Sequence, residues 1–168
     1  LLRGGVSPSR IALAGDSAGG GLTLATLLAL RDAGEPLPAA GICMSPWADL
    51  EGTGASAQPG GADDPLLDLK GLREMGEHYA KASPRHPHAS PIYASFRGIP
   101  PLLIQVGTRE ILLDDSTRVA AKAKADGVDV TLEPWDGLIH VWQLFGPQVP
   151  ESEQAVARIG EFARKHFG

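Results

Sequence analysis

Residues 10–14 read R-I-A-L-A and lead into Gly15-Asp16-Ser17-Ala18-Gly19-Gly20-Gly21, after which residues 22–31 are rich in Leu and Ala. A short apolar run, a cluster of small residues and a Leu/Ala segment predict a buried strand, a sharp turn and a helix. Within the turn stands G-x-S-x-G, in the strand-to-helix setting that presents a serine hydroxyl at a sheet edge. Gly15 and Gly19 lack the Cβ atoms that would collide where strand and helix cross, and the serine between them is held at strained backbone angles. The hydroxyl then lies at a helix N-terminus, whose N–H groups and dipole favour developing negative charge. Ser17 is the candidate nucleophile, and the N–H of Ala18 is the candidate oxyanion donor. The competing reading is a Gly/Ser cap on an α/β nucleotide-binding turn. It is weakened because no G-x-G-x-x-G or Lys-Ser/Thr phosphate signature accompanies the turn.

Outward from this turn, Gly34 stops the helix and residues 39–45 (A-A-G-I-C-M-S) predict a second buried strand that ends in S-P-W-A-D-L. Residues 52–64 are Gly, Ala, Ser and Pro, which reads as a mobile insertion outside the core. The whole insertion or cap-contacting segment is taken as about residues 52–98, with a helical pattern over 65–82. A third strand is expected over 101–106 (P-L-L-I-Q-V), a helix over 115–125 stopping at Gly127, a fourth strand over 128–135 and a closing helix over 151–167. Strands alternating with helices predict an α/β fold with a parallel sheet covered on both faces.

Composition narrows the partners. Among 168 residues, 43% are hydrophobic and 21% charged, an ordinary balance for one globular unit. A formal net charge of −5 without a basic run argues against nucleic acid and anionic membrane surfaces, leaving a small neutral or apolar molecule as the expected partner. Apolar stretches are broken before they reach membrane-spanning length. Cys43 is the single cysteine, so neither an internal disulfide nor a cysteine-rich metal site is expected, and a cytoplasmic setting fits. The chain opens at Leu1 and its first methionine is Met44, so it is expected to be a piece of a longer protein.

A base able to reach Ser17 must sit on a loop at the carboxyl edge of the sheet. Of the five histidines, only His140, in D-G-L-I-H-V-W, closely follows a predicted strand, and it lies downstream of the nucleophile as the Ser, acid, His order requires. His78, His86, His88 and His166 are expected to be solvated surface. His86 and His88 have no third group to complete a metal site. The acid is sought after the third strand, in G-T-R-E-I-L-L-D-D-S at 107–116. Glu110 comes first and is followed by apolar residues that anchor its loop. Asp114 and Asp115 stand at the next helix entry, where an aspartate ordinarily caps N–H groups. Glu110 is therefore preferred and Asp114 is the alternative acid.

These blocks resemble the hormone-sensitive-lipase family of esterases, also called bacterial family IV. The resemblance rests on G-D-S-A-G-G at 15–20, S-P-W-A-D-L at 45–50, A-S-P-I-Y-A at 89–94, P-P-L-L-I-Q-V-G-T-R-E-I-L-L-D-D-S at 100–116 and D-G-L-I-H-V-W at 136–142. It implies the C-terminal half of an α/β-hydrolase fold, its strands 5–8, with the earlier strands and an oxyanion H-G-G-G motif missing. The family usually carries Asp where Glu110 stands, in a D-P-L-x-D pattern whose last Asp would be Asp114. The resemblance further implies hydrolysis of carboxylic esters with short to medium acyl chains, through Ser17, His140 and Glu110 and an acyl-enzyme, without metal or organic cofactor. Trp47 and Trp142 flank the chemistry in sequence and are candidate walls of an apolar substrate pocket, with core packing as the equal alternative. Asp49 is expected to fix its loop. A peptidase or amidase on the same fold and a non-catalytic binding relative are the competing functions, the latter disfavoured by the presence of His140. Homodimerisation through the last strand and helix is left open, and the chain by itself is expected to be poorly folded and nearly inactive.

Overall fold

Four parallel strands line up in chain order in the computed structural model, which describes residues 1–168 apart from the side chain of Arg3. They are β1 (Ala12–Asp16), β2 (Ala40–Met44), β3 (Leu102–Gly107) and β4 (Val130–Trp135), joined by helices α1 (Ala18–Asp32), α2 (Leu69–Ala80) and α3 (Leu113–Ala125) and closed by α4 (Pro150–His166). The expected order of strands and helices is present.

The near-continuous apolar runs of β2 and β3 follow from burial on both faces. Successive side chains alternate sides. Cys43, Leu102 and Ile104 join Leu24, Leu27 and Leu28 of α1 and Val119 of α3 in one core cluster. Ile42 and Leu103 turn the other way and meet Phe162 of α4. Burial pushes the Cys43 thiol up to about 12, which leaves it a small inert hydrophobe.

The strand register sets where the connecting loops emerge. Asp16 pairs with Met44, Met44 with Gln105, and Gln105 with Glu133. The carboxyl ends of all four strands therefore finish at one level, and the loops that leave them meet on one edge.

Two expectations are revised. The first strand lies two residues later than the apolar run suggests, because Pro8–Arg10 form a 3-10 turn and β1 continues through Gly15 and Asp16. The segment 52–98 is also less peripheral than its composition implies. Ile92, Ala94 and Phe96 belong to the main core cluster, and Ser56 is buried with its hydroxyl donated to the Ile111 carbonyl at 2.7 Å. Over residues 83–98 its apolar residues are too widely spaced among Pro, Ser and His to show a helical or strand period.

Candidate active site

Ser17 has φ 51° and ψ −120°, outside the regions ordinarily open to residues with a side chain. The conformation is held from several sides. Its N–H donates to the Met44 carbonyl at 2.9 Å, and its carbonyl accepts from Trp47 at 2.9 Å and Gly21 at 3.2 Å. Gly15 makes the crossing feasible, since a Cβ there would lie 2.2 Å from the Gly19 carbonyl oxygen. Ala18 is the first residue of α1, so its N–H has no partner within the helical ladder and is free for an incoming oxyanion.

Glu110 and His140 are brought together. Glu110 is fully buried, and its Oε2 lies 2.8 Å from His140 Nδ1. Its other oxygen, Oε1, accepts from the Gly107 N–H at 2.6 Å and from the Ser45 hydroxyl at 2.7 Å. An ionised carboxylate can only accept, so Nδ1 carries the imidazole proton and Nε2 keeps its lone pair. Gly107 permits the loops to close: a Cβ there would meet the Leu138 carbonyl oxygen at 2.2 Å, inside the segment that carries His140.

The base is steadied from beneath. Gln105 of β3 donates to the Ala155 carbonyl and to Glu133, both at 3.0 Å, and accepts from Gln143 at 3.0 Å, three residues beyond His140. Ser152 at the start of α4 donates to the Trp142 carbonyl at 2.5 Å. These bonds tie the segment after His140 to β3 and α4, while Gln143 Oε1 and the Trp142 indole N–H are buried without a partner.

Asp114, the alternative acid, is engaged elsewhere. Its carboxylate accepts from the Ser56 N–H at 3.0 Å, while its own N–H donates to the Ser56 hydroxyl at 3.0 Å. Asp115 is almost completely buried and accepts from the N–H groups of Ala48 and Asp49, both at 2.8 Å. Loss of solvation pushes its carboxyl up to about 7 despite those two donors. Asp49 is fully buried in the role expected of it, accepting from Thr53, Arg118 and Tyr93. Burial alone would raise its carboxyl, yet the bonds from Thr53 and Arg118 hold it below the usual carboxylate value.

The two tryptophans part company. Trp47, with Ala18, Leu22, Leu50, Met75 and Tyr79, lines a largely apolar cavity of about 330 Å³ that adjoins the Ser17 turn. Trp142 is 1% exposed and packs against Trp135 with ring centroids 5.6 Å apart, so it belongs to the core beneath the His140 loop and does not line that cavity. His78 and His86 are exposed, as expected of surface residues. His88 borders the cavity and lies 3.4 Å from Asp32, and His166 rests on Phe162. No helix of the described residues is long and apolar enough to cross a membrane.

Sequence reasoning missed Ser45, whose only signals were its place at a strand end and the proline after it.

A serine on a strained strand-to-helix turn, with a buried carboxylate–histidine pair on later loops of the same sheet edge, defines an α/β hydrolase. A family model described as alpha/beta hydrolase fold matches residues 3–144, and the chain belongs to that family. Within it, the chain groups with the bacterial hormone-sensitive lipases. A solved esterase of that bacterial family superposes with a TM-score of 0.97 at 54% identity, covering 100% of this chain and 57% of that one. An acetyl-hydrolase of Streptomyces hygroscopicus is 50% identical over 100% of this chain and 56% of its own length. An esterase of Acinetobacter venetianus is 39% identical over 97% of the chain and 54% of its length. The chain thus spans about half the length of the curated relatives it matches.

Proposed function

We propose that this chain carries the catalytic triad of a serine esterase that cleaves carboxylic esters of short to medium acyl chains. The observation that carries the reading is the 2.8 Å bond between the buried Glu110 and His140 Nδ1, which leaves Nε2 as an acceptor. Ser17 Oγ attacks the ester carbonyl carbon while His140 Nε2 takes the hydroxyl proton. The carbon–oxygen bond to the alcohol breaks, and the imidazolium proton passes to the departing oxygen. Water then attacks the acyl group on Ser17, giving its proton to His140, and release of the acid restores the serine. Glu110 stays ionised throughout, holds the Nδ1 proton in place and stabilises the imidazolium. The Ala18 N–H supplies one oxyanion donor, and the cavity beside Trp47 receives an apolar arm of the ester. That cavity, about 330 Å³, suits short chains. The acetyl-hydrolase at 50% identity points the same way.

The test is hydrolysis of p-nitrophenyl acetate, butyrate and longer esters by two proteins. One is the 168-residue chain. The other is a chimera that places it behind the N-terminal part of the Streptomyces acetyl-hydrolase. The chimera is expected to turn over acetate and butyrate, and the chain alone far more slowly, since removing one oxyanion donor typically costs ~10²- to 10³-fold. Ser17→Ala is expected to abolish turnover in both. Activity that survives that substitution refutes the assignment.

A further inference from the structure

We propose that Ser45 is a positioning residue of the triad, acting through Glu110 and the His140 loop. The inference rests on the esterase reading and deepens it. Ser45 directly follows β2, and its N–H is held by the Gln105 carbonyl at 2.7 Å. Its side chain is fully buried, and its hydroxyl does two things at once. It donates to Glu110 Oε1 at 2.7 Å, and it accepts from the Val141 N–H at 3.3 Å. One oxygen atom therefore ties together the loops that carry the acid and the base.

The backbone points to the same place. Four non-glycine residues among those described have positive φ, and three of them are Ser17, Ser45 and Val141, at 51°, 48° and 51°. A left-handed conformation is costly for any side chain and most of all for a β-branched one such as Val141, so it persists only where surrounding contacts impose it. Ser45 is one of those contacts. Its neighbour Met44 accepts the Ser17 N–H at 2.9 Å, so the nucleophile turn and the acid–base pair are joined through two adjacent residues of one strand end.

The chemical effect is a division of labour between the carboxylate oxygens. With Oε1 saturated by Ser45 and Gly107, the carboxylate cannot rotate without breaking two bonds, and Oε2 alone faces the imidazole. Removal of the hydroxyl frees that rotation and releases the Val141 N–H, so the orientation of the imidazole is no longer fixed. Substrate binding beside Trp47 is untouched, and the loss falls on the chemical step.

The experiment compares Ser45→Ala and Ser45→Gly in the chimera. Glycine removes the hydroxyl and also relieves the left-handed backbone, so it remains informative where alanine fails to fold. In the chimera kcat is expected to fall about 10- to 100-fold in both variants, as for one lost charge-assisted bond, with KM within threefold. In the same chimera, the downfield proton resonance of His140 Nδ1 is expected to broaden or move upfield relative to that of the unsubstituted chimera. A merely structural role predicts instead that Ser45→Gly matches wild type in kcat and resonance. The proposal is overturned by kcat within threefold of wild type, or by an unchanged resonance. Should the wild-type chimera hydrolyse no ester, the esterase reading fails, and the resonance alone still decides the role of Ser45.

Discussion

Replacing Glu110 by glutamine tests the acid at the level of a single proton. The Gln side chain keeps the shape of Glu and offers one oxygen and one NH₂ group. At the Oε1 position it meets the Gly107 N–H, at 2.6 Å in the parent, and that donor cannot reverse its polarity. The Ser45 hydroxyl can rotate, so the amide oxygen settles towards Gly107 and the NH₂ turns to His140 Nδ1, 2.8 Å away in the parent. Nδ1 must then accept, which moves the imidazole proton to Nε2. A protonated Nε2 cannot take the Ser17 proton, so the base is lost although every heavy atom keeps its place. The same tautomer trap in the serine protease triad costs about 10⁴-fold in kcat, or roughly 5 kcal/mol of transition-state stabilisation. Glu110→Gln in the chimera is expected to show that loss against p-nitrophenyl acetate, with a melting temperature within a few degrees of the parent. Asp114→Asn is the matched control. An Asn oxygen can still accept from Ser56, so turnover is expected to stay within about threefold. The reasoning is refuted if Glu110→Gln retains more than a tenth of parental turnover, or if Asp114→Asn is the more damaging change.

Gly15→Ala places a methyl group 2.2 Å from the Gly19 carbonyl oxygen, with backbone on both sides and nothing flexible to move. It is expected to destabilise the chain by about 3 kcal/mol, at the upper end of overpacking, and a urea midpoint unchanged from wild type counts against the elbow geometry. Asp115, pushed up to about 7 by burial from an ordinary 3.8, binds its proton more tightly when folded than when unfolded. Its contribution to stability is therefore present below about pH 4 and declines as pH rises to about 7. Asp115→Asn does not titrate, so the stability of wild type minus variant, from urea midpoints, is expected to fall across that window; a flat or rising difference refutes the burial argument.

Much of the site was readable because each group is tied to a local signal. Gly15, Ser17 and Gly19 announce a crossing of strand and helix, and His140 is the one histidine that leaves a strand end. Glu110 was separable from Asp114 and Asp115 because the latter two open a helix, where an aspartate ordinarily caps that helix's own N–H groups; in the structure they instead hold the N–H groups of Ser56, Ala48 and Asp49, outside the helix. Ser45 was not readable in this way. Its place next to Glu110 depends on the parallel register of β2 and β3, which brings together residues 65 apart in sequence, and no short-range pattern encodes that. Trp142 marks the same boundary: an aromatic two residues after the base reads equally well as pocket wall or core, and only its packing on Trp135 decides. Phe96 and Ile92 were hidden for a further reason, since an irregular segment buries residues without any period to betray it.

Strand β1 pairs only with β2 among the described residues, and its side chains are the least covered of the four strands. The acid and base leave β3 and β4, while the serine leaves this edge. The candidate triad therefore spans the sheet from β1 to β4, with Glu110 bonded to His140 across the β3–β4 pair and Ser17 two strands away from the acid. The twist between neighbouring strands accumulates over that span, so it is the sheet as a whole, and no single loop, that sets the spacing of serine and histidine.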